Sequence, residues 1–277
     1  MLSSFTSRKY PINIPTKFHG YDLISVLNYG SFSIVTLVKD QSTHQKYAAK
    51  IISKADIENQ NIVHLVMDEI DILKTISHPN IIKFYQNFGV INNLGEEYIV
   101  IITEYCQRGD LFDFVYNSSF ENENEKKKVF YGIAKGVEYL HNRGIAHCDI
   151  KPENILLDNN MIPKLCDFGF SKRSIISSNE LISGTIRFSS PELLVNGVVN
   201  FLKADIWALG ITYYFLSLLD FPFNARNNDI AIHQIKNGCL SIDQSDKLQK
   251  LVGRCIKMIP EERASINEIL NDEFFES

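Results

Sequence analysis

Long apolar runs are missing from this chain. The longest, IWALGITYYFLSLL (206–219), falls well short of the roughly 20 residues that span a bilayer, so a buried core helix is expected there and no membrane partner. Paired cysteine spacing is missing as well. The cysteines at 106, 148, 166, 239 and 255 form no CxxC and no Cys/His pair. That argues against a disulfide framework or a zinc site and fits reduced thiols in the cytosol or nucleus. There is no basic excess either. A net charge of −5 argues against a nucleic-acid binder held by bulk charge. The start, MLSSFTSRKYPINIPTKF, has no apolar core and no glycine after Met1, so neither a secretory signal nor myristoylation is expected. No internal repeat or low-complexity linker is found. What remains is 277 residues, 45% hydrophobic and 22% charged, which suits one large domain or two small lobes.

Residues 21 to 51 read as strands: YDLISVL and SIVTLVKD flank NYGSF, and KYAAKII follows the polar turn DQSTHQ. IVHLVMDEIDILKTI (62–76) carries apolar residues at helical spacing and stops before His78-Pro79. IIKFYQNFGVI and YIVIITEY are two further strands. Beyond them the pattern turns helical, first in KKKVFYGIAKGVEYLH, where Phe130, Ile133, Val137 and Leu140 share one face. Helices are also expected over 203–219, 226–237, 246–257 and 265–271. The charge run ENENEKKK (121–128) is expected to cap and start a solvated helix. The fold class is therefore α+β: a small antiparallel-sheet lobe with one main helix, then a larger, mostly helical lobe, joined near Glu104 to Asp110.

Chemistry concentrates in AHCDIKPENILLD (146–158). Phosphoryl transfer needs an acceptor for the nucleophile's proton, cations on the phosphate oxygens, and ligands for those cations. Asp149 can accept a hydroxyl proton, Lys151 can neutralise a phosphate, and Asn154 offers a carbonyl oxygen to Mg²⁺. Taken alone, the stretch also reads as a polar loop with an asparagine turn. Further on, CDFG (166–169) supplies Asp167 as a second hard oxygen ligand. YAAK (47–50) ends in a lysine on an apolar strand. Buried lysines are rare unless paired, so Lys50 needs an anion, and Glu69 or a nucleotide phosphate would serve.

In this order and spacing, the set resembles the eukaryotic protein kinases of serine/threonine type over nearly the whole chain. HCDIKPEN is similar to the catalytic loop, CDFG to the metal-binding turn, YAAK to the phosphate-anchoring strand, and SSPEL (189–193) to the close of the activation segment. DIWALG (205–210) and PEERAS (260–265) resemble two structural motifs of the large lobe. The resemblance implies ATP and Mg²⁺, with Asp149 as catalytic base, Lys151 on the transferring phosphate, and Asn154 and Asp167 on the metal. It implies Lys50, held by Glu69, on the α- and β-phosphates. Adenine would lie between Leu27, Val35 and Ala48 on one side and Leu156 on the other, with Cys166 beside the site. Glu104 and Cys106 would read its edge, Thr103 would be the gatekeeper, and Asp110 would meet the ribose. Glu192 and Arg263 would form a buried ion pair whose breakage costs roughly 3–5 kcal/mol. Asp205 would anchor the catalytic loop, and Leu73, His147 and Phe168 would belong to an apolar stack. The implied layout is an extension over 1–19 and a kinase domain over 20–275, with a small lobe 20–105, a hinge 104–110 and a large lobe 111–275.

Two positions depart from the pattern. The glycine loop, normally GxGxxG, reads Asn28-Tyr29-Gly30-Ser31-Phe32-Ser33, so only the middle glycine survives. That glycine allows the closest backbone approach to phosphates, and Asn28 tolerates left-handed backbone better than most residues. A stiffer loop is expected. The catalytic loop has Cys148 where relatives carry an arginine that clamps a phosphate on the activation segment. Leu181 stands three residues before Gly184, where relatives carry the phosphorylated threonine. Activity independent of activation-segment phosphorylation is therefore expected, with Ser171, Ser174, Ser177, Ser178 and Ser183 left as the sites that could contradict it. The thiol itself is expected to be inert, because Asp149 beside it raises its pKa.

IKPEN and Gly184-Thr185 resemble serine/threonine rather than tyrosine kinases. YAAKIISK, HPNIIKFY and DLFDFV are similar to the calcium/calmodulin-dependent kinase group. Glu153 and Asp110 match positions that meet an arginine three residues before the acceptor, and Thr185 is a further substrate contact. The expected protein is a cytoplasmic monomer acting on protein serines and threonines, with no tail after DEFFES. The alternatives are a pseudokinase scaffold, which usually loses Lys50, Asp149 or Asp167, and a metabolic kinase of similar fold.

Overall fold

The computed structural model describes residues 17–30, 33–173, 176–178, 185–195, 198–223, 225–238, 240, 242–243 and 245–276. They form two compact units, one of Phe84–Tyr105 and the described residues up to Val63, the other of His64–Lys83 and everything from Cys106 on.

The first unit is built on a six-stranded antiparallel sheet. Its strands are β1 (Lys17–Phe18), β2 (Tyr21–Tyr29), β3 (Ser33–Asp40), β4 (Lys46–Ser53), β5 (Phe84–Ile91) and β6 (Glu97–Glu104), in the order β1-β2-β3-β4-β6-β5. Alternation assigns the faces. Ile34, Val38, Ala49, Ile51, Val100 and Ile102 pack with Phe18 and Tyr21 as the core. On the opposite face Asn28 pairs with Val35, Val35 with Lys50, and Ala48 with Thr103, and directly opposed residues point the same way. The β3–β4 turn is set by Asp40, whose Oδ1 accepts bonds from the backbone N–H groups of Ser42 at 2.9 Å and Thr43 at 2.7 Å. Together with the Ser42 hydroxyl, these bonds lower its pKa to about 2.

Two short helices escape the periodicity reading. Helix α1 (Lys54–Asn59) starts at Ser53, whose hydroxyl accepts from Asp56 N. Helix α2 (Val63–Thr75) buries Val66, Glu69, Ile70, Ile72 and Leu73. Helix α3 (Leu111–Asn117) starts at Asp110, whose carboxylate accepts from Asp113 N. Both α1 and α3 are too brief for a 3.6-residue period to declare itself, and only their caps announce them.

In the second unit, α4 (Glu123–His141) begins at Asn122 with Glu123 and Glu125 in its first turn, the arrangement expected from the charge run. A short hairpin follows, β7 (Ile155–Leu157) with β8 (Pro163–Leu165), and further on β9 (Ile176–Ser178) pairs with β10 (Val198–Asn200) across a long connection. Helix α5 (Phe201–Leu218) is buried on nearly every side, as the apolar run predicts. Helix α7 (Lys247–Cys255) packs on it, α8 (Ile266–Leu270) packs on α4, and α6 (Asn228–Lys236) lies beside the turns at 186–188 and 191–194. Phe130 of α4 stacks on Tyr213 of α5 at 4.5 Å, and the Tyr213 hydroxyl donates to the Phe130 carbonyl at 2.6 Å. Among the described residues no helix is long and apolar enough to cross a membrane. The α+β class, an antiparallel sheet followed by a mostly helical remainder, is borne out.

Candidate active site

The β7–β8 hairpin explains why residues far apart in sequence meet. Ile155 pairs with Leu165 at its open end, so Asn154 enters the hairpin where Cys166 leaves it, and Cys166 N donates to Asn154 O at 3.0 Å. Asp167 follows directly, in left-handed backbone (φ 60°). The hairpin seats closely on α4 because a side chain at Gly132 or Gly136 would come within 2.8 Å of Pro163 or Asn80.

Asp149 is 6% exposed and held from two sides. Its Oδ2 accepts from Lys151 Nζ at 2.7 Å and from Asn154 Nδ2 at 2.7 Å. Asn154 Nδ2 also donates to Asp149 O at 2.9 Å. Lys151 Nζ reaches a third group, Thr185 Oγ1, at 3.1 Å. One carboxylate, one ammonium, one amide and one hydroxyl thus form a single connected set. Since two acceptors of Asp149 face the Asn154 amide, its nitrogen must point there, and Oδ1 takes no hydrogen bond from a described residue. The Asn154 carbonyl oxygen and the carboxylate of Asp167, which follows the Cys166 N to Asn154 O bond, are hard donors of the kind Mg²⁺ takes, one or two protein oxygens with phosphates and water completing its shell. Among the described residues, no larger His, Cys, Asp or Glu cluster is arranged for a metal.

Beneath the loop, Asp205 is 1% exposed. It accepts from His147 N and Cys148 N, both at 2.8 Å, with His141 Nε2 at 3.0 Å. Asp149 N donates to His147 Nδ1, which leaves Nε2 as the protonated nitrogen toward the Cys166 carbonyl at 3.0 Å. His147 lies 5.0 Å from the Phe168 ring, and both are buried with Leu73. His141 and Ser171, whose Oγ donates to His147 O, belong to this network but were not expected from the sequence. Neither sits in a motif, although a histidine ending a helix just before the loop is a weak signal. Ser171 is 8% exposed and so drops out as a phosphate site. Leu181 and the side chains of Ser174, Ser177, Ser178 and Ser183 lie outside the described residues.

Cys148 adopts left-handed backbone (φ 63°). Its thiol pKa is pushed well up, first by burial and then by the Asp205 carboxylate, with Asp149 contributing less. The expected inertness has that cause rather than the adjacent base. Arg263 meets Glu192 with two parallel bonds of 2.6 and 2.7 Å. It also donates to the Lys257 and Lys203 carbonyls and lies 5.1 Å from the Trp207 ring, so the guanidinium is well satisfied despite 2% exposure.

Asp110 and Glu153 both have raised carboxyl pKa values, each chiefly from loss of solvation, and the Asp110 charge adds to the effect on Glu153. Leu156 bridges Asp110 in the backbone. In the first unit Val35, Ala48, Lys50 and Thr103 share a sheet face, Leu27 is 41% exposed, and Glu104 ends β6. Glu69 is 4% and Cys106 6% exposed, both in the second unit. Asn28 is extended within β2, paired with Val35, and its Oδ1 accepts from Tyr29 N at 2.8 Å, so its tolerance for left-handed backbone is not used. Gly30 N donates to Ser33 O at 2.8 Å, closing a tight turn. Ser31 and Phe32 lie outside the described residues.

Residues 21–275 match the family described as "Protein kinase domain". Serine/threonine-protein kinase SIK1 of Rattus norvegicus is 32% identical over 260 residues, covering 92% of this chain and 32% of that protein. Serine/threonine-protein kinase SIK2 of Gallus gallus is 32% identical with the same coverage. Serine/threonine-protein kinase SRK2E of Arabidopsis thaliana is 30% identical over 278 residues, 96% of this chain and 74% of that protein. The chain therefore belongs to the protein kinase domain family. It spans 32% of the length of the first two relatives.

Proposed function

We propose that this chain transfers the γ-phosphoryl group of MgATP to serine and threonine hydroxyls of proteins. The observation that carries the reading is the Asp149 carboxylate held at 2.7 Å by both Lys151 and Asn154. Asp149 accepts the proton of the substrate hydroxyl as its oxygen bonds to phosphorus and the bond to ADP breaks. Lys151, tied to Thr185, offsets charge on the phosphoryl oxygens. Asn154 Oδ1 and Asp167 would hold Mg²⁺, which supplies positive charge to the phosphates when bound. Lys50 and Glu69 keep the roles that the resemblance implies, and Leu27, Val35 and Ala48 are proposed as nucleotide contacts. The serine/threonine names of the relatives and the IKPEN sequence support the choice of acceptor.

The finer parts of the reading are a preference for arginine three residues before the acceptor, met by Asp110 and Glu153, and activity without activation-segment phosphorylation. The absence of a clamping arginine at Cys148 supports the second. Asp149→Asn should lower kcat by about 10²–10⁴-fold with nucleotide affinity unchanged. Equal residual rates for wild type and variant on a broad peptide set would instead favour a binding scaffold.

A further inference from the structure

The segment that runs from Lys172 to Thr185 meets the catalytic loop at both ends. Lys172 exchanges two backbone bonds of 2.9 Å with Ala146, and Thr185 Oγ1 accepts from Lys151 Nζ. Between these points Ile176–Ser178 forms an antiparallel ladder with Val198–Asn200, with Ser177 opposite Val199. The inner strand of that ladder rests on the catalytic loop. Ala146, Val199 and Phe201 form a buried cluster, and Cys148, Leu193 and Leu202 pack against it. Cys148 directly precedes Asp149, and its own backbone N–H is one of the two that Asp205 accepts. Among the described residues its side chain adjoins the proposed base and packs against this cluster.

We propose that Cys148 is a positioning residue, packing against the cluster that seats strand β10 at Val199, so that the backbone ladder holds Ile176–Ser178 without a phosphate. The idea rests on the kinase reading for its effect on catalysis, but not for the ladder itself. A ladder is made of backbone bonds and needs no charged group to form. What it needs is a fixed inner strand, and an apolar cluster fixes one by burial. A cysteine with its proton on behaves as a small apolar side chain, and burial keeps this thiol protonated. A long cation at the same place would have to enter the cluster beside Val199 and Phe201 or leave it, and in either case the seat is lost. The cluster also links the ladder to the Lys172 tether, since Ala146 is both a member of it and the partner of Lys172.

The test is amide hydrogen exchange on phosphatase-treated protein, read together with steady-state kinetics. Residues 176–178 and 198–200 should exchange slowly in the wild type. Val199→Asp should speed exchange in 176–178 by about tenfold or more, raise KM for peptide, and leave KM for MgATP unchanged. Val199→Ile should restore both. Cys148→Ala, which withdraws the sulfur from the cluster, should speed exchange in 176–178 measurably and Cys148→Arg more strongly; unchanged exchange in both variants removes Cys148 from the seat. Should Val199→Asp fail to fold, Val199→Ala gives the same readout, with a smaller but measurable rise in exchange. Fast exchange of both strands in wild type, or unchanged exchange in folded Val199→Asp or Val199→Ala, overturns the proposal. A protected ladder in protein that phosphorylates no peptide would sink the kinase reading alone.

Discussion

The catalytic loop and the glycine loop are both proposed to act at the phosphates, and their described residues are secured in different ways. Residues 146–154 are held from below by Asp205, from one side by the β7–β8 hairpin, and across the loop by Lys151 and Asn154. Several of the residues involved are under 10% exposed. The described residues of the glycine loop are held at their ends by strand pairing, Asn28 with Val35 and Tyr29 with Ile34, and by two local bonds, Tyr29 N to Asn28 Oδ1 and Gly30 N to Ser33 O, and Tyr29 is 65% exposed. The first loop tolerated one change of type, arginine to cysteine, at a position that does not touch the transferring group. The second lost both outer glycines of the family pattern. Residues locked by shared buried partners resist change because each substitution strands several groups at once. A loop bonded locally can lose one feature at a time.

The sharpest way to break this comparison is to remove the support under the catalytic loop. Asp205→Ala would strand the N–H groups of His147 and Cys148 and the His141 ring. Each stranded buried donor costs about 1–3 kcal/mol, so a loss of about 3–5 kcal/mol is expected. Denaturant unfolding of the variant measures it. A loss under about 1 kcal/mol would mean that water replaces the carboxylate, and that the loop is no better secured than the glycine turn.

The next effect concerns the acidic pair. If Glu153 meets a substrate arginine, Glu153→Gln should cut the preference for Arg over Ala three residues before the acceptor by about tenfold or more, the worth of a charge-assisted bond of about 1.5–3 kcal/mol. The pH dependence has a definite sign. Glu153 has a raised pKa, so its carboxylate protonates at a higher pH than an ordinary glutamate. The preference is full at neutral pH and declines on acidification, starting above the usual value of 4.5. Ratios of kcat/KM for the two peptides across pH should show this decline in the wild type and a flatter profile in Glu153→Gln. A flat wild-type ratio would remove Glu153 from the recognition site.

Much of this architecture was legible in the residues, for identifiable reasons. Period-two alternation in SIVTLVKD and KYAAKII fixed strands whose cores are Val38, Ala49 and Ile51. The fully apolar run from Ile206 announced the central helix. Phosphoryl-transfer chemistry suggested Asp149, Asn154 and Asp167, and the resemblance to protein kinases implied Asp205 as the anchor of the loop backbone, where its bonds to His147 N and Cys148 N place it. What stayed hidden was set by distance in sequence or by shortness. The three-residue strands β9 and β10 carry no periodic signal, and their pairing joins positions over twenty residues apart. The place of His141 depends on the end of α4 meeting the start of α5, which no local pattern encodes. At Asn28 the pairing with Val35 decides the backbone, and the residue's tolerance for left-handed conformations goes unused.

The smallest predicted effect bears on the weaker loop. A side chain at Gly30 would place Cβ 2.7 Å from Ser33 Oγ and 3.5 Å from Ser33 O. The close atom is the rotatable end of a short side chain, so the turn can adjust at modest cost. Gly30→Ala is expected to raise KM for MgATP by about fivefold, equivalent to about 1 kcal/mol. Removing the obstructing hydroxyl should undo it. In Gly30→Ala with Ser33→Ala the next contact is an ordinary 3.5 Å, and KM should return to within about twofold of the Ser33→Ala single variant. Failure of this rescue would locate the constraint in the backbone approach to phosphate rather than in the turn. The surviving glycine would then be as tightly determined as the catalytic loop, and the contrast between the two loops would lie in bond count alone.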